Sequence, residues 1–418
     1  MTYQPVKGME DFYPEKKAVL ESIFTTLKTS ARRFGFQEVG SPAMESIQLL
    51  TAKSGEEAKS QIFTLEKRGT DEIGLRFDLT VPITRMFVQK QKAIPKPAKW
   101  FALDRMWRYE APQKGRSREF YQLSVELFGS ARPEADADVI CLAIDCLNSF
   151  GLREKDFMVR INNRKLLEGL LLQYGVGKTQ LEAITSIIDK KLKVEPEEFL
   201  KLLLDAGLTQ EVADKAILIA NQQGPAATAL AVIKKLATSR EAVEGLAELE
   251  NVIALLPSPY LTIDLSLARG LAYYTGTVFE ISDREGKFRA IAGGGRYDNL
   301  VELFGGEKCP ATGFAIGDKT LWLLLEEKGK LPEVRPGPDY YIVTVSDELR
   351  PEAVKLAAKL SRTHSCDIDL MGRKFMKQLE YANNIGAKNA IIIGQKELTE
   401  RKVKVKDMKT GVETYMDI

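Results

Sequence analysis

Apolar positions between Pro14 and Phe34 recur at spacings of three and four, with Val19, Leu20, Ile23, Phe24, Leu27, Ala31 and Phe34 on one stripe. That period predicts an amphipathic helix, opened by Pro14 in its first turn and stopped by Gly35. Strand-length runs at 61–66 and 73–77, separated by Lys67-Arg68-Gly69-Thr70-Asp71, predict a hairpin. Further apolar runs at 100–107 and 122–128 flank a basic polar loop, so the first 130 residues read as a helix plus antiparallel sheet. Near Asn163 the texture changes. Helical periodicity marks 166–173, 181–192, 197–206, 211–222 and 226–236, and strand patterns are nearly absent there. Strand texture returns at Tyr260, continues through VFEIS and FRAIAGGGRYDNL, and closes with a helix over 319–328. A helical insertion at about 163–256 inside one α+β domain spanning 1–330 accounts for that order.

The stretch LPEVRPGPD, rich in proline, predicts a linker over 331–338. Beyond it, segments 340–345, 351–361, 367–371, 375–384 and 390–393 alternate strand with helix. That alternation predicts a small α/β domain over 339–418 with a largely parallel sheet.

Composition narrows the chemistry. The 418 residues are 44% hydrophobic and 28% charged, with 60 Lys+Arg against 58 Asp+Glu. No apolar run approaches the ~18 residues of a membrane span, and the N-terminus lacks the basic-then-apolar pattern of a secretory signal. A cytoplasmic protein is expected. One histidine, His364, serves the whole chain, which argues against a Ser-His-Asp triad or a multi-histidine metal site. Cys141, Cys146, Cys309 and Cys366 form no CxxC pair and read as small buried hydrophobes of a reducing compartment. Any chemistry must run on Arg, Glu, Asp, Tyr and Gln.

The densest polar segment runs from Arg108 to Phe120, followed by a strand whose alternation puts Phe120, Gln122, Ser124 and Glu126 on one face. Gln and Glu on the face of an apolar sheet are costly unless they meet a ligand or each other. A solvated hairpin and an anion site both fit this pattern. A second cluster joins Asp264 to Gly276, followed by Gly293-Gly294-Gly295-Arg296-Tyr297-Asp298. Consecutive glycines after a strand permit close backbone approach to a ligand, or form a bulge or tight turn.

In order along the chain, GLRFDLTVPITR, RMWRYEAPQKGRSREFYQLSVELFG, LARGLAYYTGTVFE and AGGGRYDNL resemble four segments of the histidyl-tRNA synthetases, a family of class II aminoacyl-tRNA synthetases. The resemblance covers essentially the full length. It implies a class II α+β catalytic domain with antiparallel sheet and a C-terminal anticodon-binding domain. It implies ATP-dependent joining of L-histidine to tRNA(His) through histidyl adenylate, with ATP and Mg²⁺ as substrate and no prosthetic group. By the same resemblance, Arg108 grips the α-phosphate and the substrate carboxylate, and Arg269 brings a second positive charge. Glu110 accepts from the adenine amino group, Phe120 stacks on the base, and Arg116 reaches the γ-phosphate. Asp78, Thr80 and Gln122 hold the histidine α-amino group, while Glu126, Tyr273, Tyr274 and Tyr297 form the imidazole pocket. Gln113, Lys114 and Arg118, with Arg373, Lys374 and Lys377 in the C-terminal domain, are candidate tRNA contacts. No residue is assigned as a metal ligand. Pro42 resembles the proline of the first class motif, which implies a homodimer.

Four positions depart from the family pattern. In GFAIGDKTLWLL, Lys319 and Thr320 occupy the places of a Glu-Arg pair whose arginine stacks on adenine. Ala272 stands where many members carry aspartate, and Asp78 where some carry glutamate. An alternative reading is a noncatalytic paralogue, a histidine-sensing regulatory subunit of ATP phosphoribosyltransferase. Such paralogues characteristically lose the RNA-binding domain and the arginine at Arg269, and this chain has both.

Overall fold

The computed structural model describes residues 3–52, 59–67, 69–269, 273–334 and 336–418. The chain divides into two compact units, 1–11 with 24–331 and 12–23 with 332–418. The second unit thus begins at the expected proline-rich stretch and also takes in the residues around the start of the first helix, Pro14–Arg33.

In the first unit the strands are β1 (Gln37–Glu38), β2 (Met44–Ser46), β3 (Ile73–Leu75), β4 (Ala98–Trp107), β5 (Glu119–Phe128), β6 (Phe157–Asn163), β7 (Gln223–Pro225), β8 (Leu261–Asp264), β9 (Thr277–Asp283), β10 (Ala292–Arg296) and β11 (Ala311–Gly317). Nine of them form one sheet in the order β1-β4-β5-β11-β10-β9-β6-β8-β7. Only β1/β4 and β6/β8 pair in parallel. At the centre, β11 sets Gly313 opposite Glu126 and Gly317 opposite Gln122. Helix Thr80–Lys90 packs Ile83 and Phe87 on this sheet, and Phe87 stacks on Phe128 at 4.3 Å between ring centroids. The same cluster holds Tyr274 and Tyr297, so the residues expected to select the substrate are anchored in the core.

The expected hairpin of 61–66 with 73–77 is reduced to a bridge between Thr64 and Gly74. The full strand partner of β3 is β2. Arg76, 1% exposed, fixes this arrangement, because it pairs with Asp104 at 2.5 Å and donates to the carbonyls of Ser41 and Pro42. A buried guanidinium is tolerated when its donors are satisfied in this way.

Helices Arg164–Gln173, Leu181–Ile188, Pro196–Asp205, Gln210–Ala220 and Ala226–Leu236 fill the insertion as expected. A sixth, Arg240–Ile253, was not foreseen. It lies against Arg164–Gln173 through glycines: a Cβ on Gly169 would sit 2.4 Å from the Ala242 nitrogen, and one on Gly245 2.2 Å from that of Leu166. Any larger residue would push the two helices apart.

The second unit carries β12 (Tyr340–Thr344), β13 (Cys366–Ile368), β14 (Asn389–Ile393), β15 (Lys402–Asp407) and β16 (Glu413–Asp417) in the order β13-β12-β14-β15-β16. Its sheet is parallel only from β13 through β14; β15 and β16 add an antiparallel hairpin, correcting the expectation of a largely parallel sheet. The alternation Lys402, Lys404, Lys406 is that hairpin's polar face, with Val403 buried opposite. Ile342 and Ile391 pack on one side and Tyr341, Val343 and Ala390 on the other, so helices cover both faces.

Candidate active site

A cleft of ≈ 840 Å³ opens over the central strands of the first unit. Asp78, Thr80, Arg108, Glu110, Arg116, Phe120, Gln122, Arg269, Tyr273, Tyr274 and Tyr297 all line it, so residues from four separate sequence segments converge. The β4–β5 connection is therefore a wall of this cleft and not simply a solvated hairpin. Its turn closes with Gln113 and Arg116 exchanging backbone hydrogen bonds of 3.0 and 2.8 Å. Arg108 follows directly on β4 and lays its guanidinium over the Phe120 ring at 5.0 Å, while its Nε donates to the Phe77 carbonyl at 3.0 Å. Burial pushes the Arg108 pKa down, Asp78 and Tyr273 oppose this, and Arg269 adds to it. Glu110 and Arg116 form an ion pair with each other.

Arg269 adopts φ 47°, a left-handed conformation unusual for a residue with a Cβ, and its Nη1 donates to the Phe279 carbonyl at 3.2 Å. Burial alone would lower its pKa, yet Tyr274, Glu280 and Tyr273 outweigh burial and raise it. Gly293 explains one member of the glycine triplet. A Cβ there would fall 1.3 Å from Nη1 of Arg269, so only glycine leaves the guanidinium its place. Ala272 lies outside the described residues.

Three tyrosines form the apolar-walled end. The Tyr273 and Tyr274 centroids are 4.6 Å apart, and those of Tyr273 and Tyr297 5.8 Å. The Tyr297 hydroxyl is buried with no hydrogen-bond partner among the described residues, a state that a polar ligand would relieve. Burial also raises the Tyr273 pKa, so that hydroxyl stays protonated. Glu126, 1% exposed, does not line the cleft. It lies one layer deeper, its Oε2 2.5 Å and the Tyr297 oxygen 2.4 Å from where a Cβ on Gly313 would stand. Asp78 accepts from the Val81 N–H at 3.1 Å, which orients the start of helix Thr80–Lys90.

A family model described as histidyl-tRNA synthetase matches residues 8–321, and one described as anticodon binding domain matches 339–418. The chain belongs to the histidyl-tRNA synthetase family. It is 40% identical to a histidine–tRNA ligase of Natronomonas pharaonis over 100% of this chain and 96% of that protein. A histidine–tRNA ligase of Pyrococcus furiosus is 39% identical over 99% and 96%. The crystal structure of histidyl-tRNA synthetase from Nostoc sp. PCC 7120 superposes with a TM-score of 0.85 at 28% identity, covering 100% of this chain and 97% of that one.

For a histidyl-tRNA synthetase, this cleft contains charged groups to which the sequence assigned no role. Arg160 on β6 pairs with Asp264 at 2.6 Å and with Glu280 at 3.1 Å, and all three line the cleft. Three charges on apolar strands were the available signal. Leu192, Lys193 and Gln223 bring the helical insertion to the same cavity. Lys319 and Thr320 line it too, with Lys319 paired to Glu10 at 3.0 Å. Arg296, by contrast, is structural: it bonds Asp136 at 2.9 Å and the Ser130 carbonyl at 3.0 Å, pinning the start of helix Pro133–Asn148.

Among the candidate RNA contacts, Gln113 and Lys114 are exposed on the β4–β5 loop, whereas Arg118 donates to the Glu110 carbonyl at 3.1 Å and covers the Tyr109 ring. In the second unit Arg373 is tied to Asp369 at 2.7 Å and stacks over Tyr381, while Lys374 and Lys377 are exposed. His364 is exposed in that unit, its Nδ1 2.9 Å from the Thr363 hydroxyl. Among the described residues no helix is long and apolar enough to cross a membrane.

Proposed function

We propose that the cleft activates L-histidine with ATP as histidyl adenylate and then passes the histidyl group to tRNA(His). Ligation of histidine to its tRNA is the reaction of the family to which the chain belongs. The observation that carries the assignment to this site is Arg269, seated through Gly293 in the same cleft as Arg108 and beside the tyrosine cluster. The histidine carboxylate attacks the α-phosphorus, pyrophosphate leaves, and negative charge accumulates on the nonbridging oxygens of a five-coordinate centre. Two guanidiniums fixed beforehand stabilise that charge without reorganising. ATP enters as its magnesium complex. Phe120 stacks on adenine, Glu110 accepts from its amino group, and Arg116 exchanges Glu110 for the γ-phosphate.

Asp78, Thr80 and Gln122 hold the α-amino group. Tyr273, Tyr274 and Tyr297 meet the imidazole, with Glu126 setting their charge environment from below. An apolar amino acid of similar shape leaves those buried groups unpaired, at roughly 1–3 kcal/mol each. In the second step a hydroxyl of the terminal tRNA ribose attacks the acyl carbon and AMP leaves. Lys114 and Gln113 approach the acceptor end, while Lys374 and Lys377 contact the anticodon region. The functional species is a cytoplasmic homodimer with the Pro42 segment at its interface. The regulatory-subunit reading has less support, since the relatives matched over the full chain are ligases. Histidine-dependent ATP–pyrophosphate exchange, followed by charging of tRNA(His), is the deciding experiment. A folded protein that binds histidine but catalyses no exchange would overturn the proposal.

A further inference from the structure

The cleft's cations are unequally engaged. Arg116 pairs with Glu110, Arg160 with Asp264 and Glu280, Lys193 with Asp189, and Lys319 with Glu10. Arg108 and Arg269 each donate to a backbone carbonyl. Among the described residues, Arg289 is the one arginine or lysine of the cleft lining with neither a hydrogen bond nor an ion pair. Its position is built: Asp283, 2% exposed, accepts from the backbone N–H groups of Lys287 at 2.8 Å and Phe288 at 3.0 Å. Those bonds fix the β9–β10 connection so that Phe288 and Arg289 line the cavity. Lys114 of the β4–β5 loop stands 5.9 Å from the Phe288 ring centre.

Arg289 is also close enough to Arg116 to be felt. The Arg116 pKa is lowered by burial first, then by Arg289 and Arg108. Like charges gathered in one cleft repel unless an anion with several charges joins them. Thr320, where the family pattern carries arginine, also lines the cleft and brings no charge, and Lys319 is occupied by Glu10. With Arg108 and Arg269 at the α-phosphate, the cations left for the outer phosphates are Arg116 and Arg289.

We propose that Arg289 binds the β- and γ-phosphates of ATP from the β9–β10 connection. This rests on the reading of the cleft as an ATP site for histidyl adenylate formation. The test is histidine-dependent ATP–pyrophosphate exchange with Arg289→Ala and Arg289→Lys, alongside binding of a nonhydrolysable histidyl-adenylate analogue, which has no β- or γ-phosphate. Arg289→Ala should raise the KM for ATP and for pyrophosphate by on the order of tenfold, leaving the histidine KM and analogue affinity unchanged. Arg289→Lys should recover most of the loss, because a point charge serves a polyphosphate. Unchanged KM values for ATP and pyrophosphate in Arg289→Ala, with exchange intact, overturn the Arg289 assignment alone, as does an equal loss of analogue affinity. Absence of exchange in the unaltered protein overturns the functional reading together with it.

Discussion

Gly293→Ala isolates what the seating of Arg269 contributes. The added methyl would stand 1.3 Å from Nη1, 2.4 Å from Cζ and 2.8 Å from Nη2 of Arg269, and these are its three nearest atoms. Since carbon needs about 3.5 Å from such neighbours, the guanidinium must retreat by about 2 Å and abandon the Phe279 carbonyl. Gly293 does not need a left-handed backbone, so alanine is admissible in the strand itself. Displacing a preorganised donor by more than about 1 Å costs on the order of 100-fold, and deleting one 100- to 1000-fold. Gly293→Ala should therefore slow histidyl adenylate formation by about two orders of magnitude while the protein remains folded.

The assay is rapid-quench measurement of adenylate formation, compared with transfer from preformed adenylate to tRNA. Transfer should suffer less, because the α-phosphate is then in the leaving group. Arg269→Ala should match or exceed the loss, and Arg269→Lys should recover little, lacking the forked geometry. In the Arg269→Ala background, Gly293→Ala should add nothing, since the two changes act on one interaction. Near-normal adenylate formation in a well-folded Gly293→Ala protein would refute the reasoning.

Glu126→Ala should weaken histidine binding by about tenfold or more with little effect on ATP; equal losses in separate titrations would indicate a folding defect. Burial pushes the Asp318 carboxyl up from 3.8 to about 6, against Lys319 and the Tyr121 N–H. A folded-state pKa above the unfolded one gives stability that is full below about 4 and is lost as pH rises through about 6, on the order of 3 kcal/mol. Asp318→Asn should thus raise Tm at pH 7.5 and lose that advantage at pH 4, and the opposite ordering in thermal melts would contradict the assignment. Changing Lys374 and Lys377 together to glutamate should raise the KM for tRNA(His) at least severalfold at fixed salt and leave ATP–pyrophosphate exchange intact; unaltered charging would remove them from the RNA surface.

Elements whose residue types repeat with a clean period were legible in the sequence. The alternation Phe120, Gln122, Ser124, Glu126 gave one strand face, and the insertion's apolar stripes gave five of its helices. Arg240–Ile253 carried the same signal, with Ala242, Leu246, Leu249 and Val252 buried and Ser239 capping the Ala242 N–H. What stayed hidden depends on partners distant in sequence. Neither the pairing of β3 with β2 nor the hairpin closing the second unit follows from local pattern, because register and neighbours are chosen by tertiary burial. Equally, Glu126 reads as a cleft residue by alternation, and only the close approach of β11 at Gly313 covers it.

Under the proposed function, the pattern of charge pairing would let one cleft bind ATP reversibly and still act on its α-phosphorus. Arg116 is partly exposed and paired with Glu110, so an incoming phosphate replaces one partner with another at small net cost. Arg108 and Arg269 are different. Each gives a single donor to a carbonyl, of Phe77 and Phe279, out of the five N–H groups a guanidinium carries. They are held in place without being neutralised by that bond, and Arg269 lowers the Arg108 pKa, the mark of mutual repulsion. That repulsion is sustained by the fold: β9 fixes the Phe279 carbonyl, and its neighbour β10 sets Gly294 opposite Phe279 and Gly293 opposite Glu280. In the proposed adenylation, charge developing on the α-phosphate would relieve the repulsion, more in the transition state than in the ground state. Such differential stabilisation raises turnover, and under the proposed function it would let a chain whose single histidine lies in its other compact unit carry out adenylyl transfer without a histidine general base.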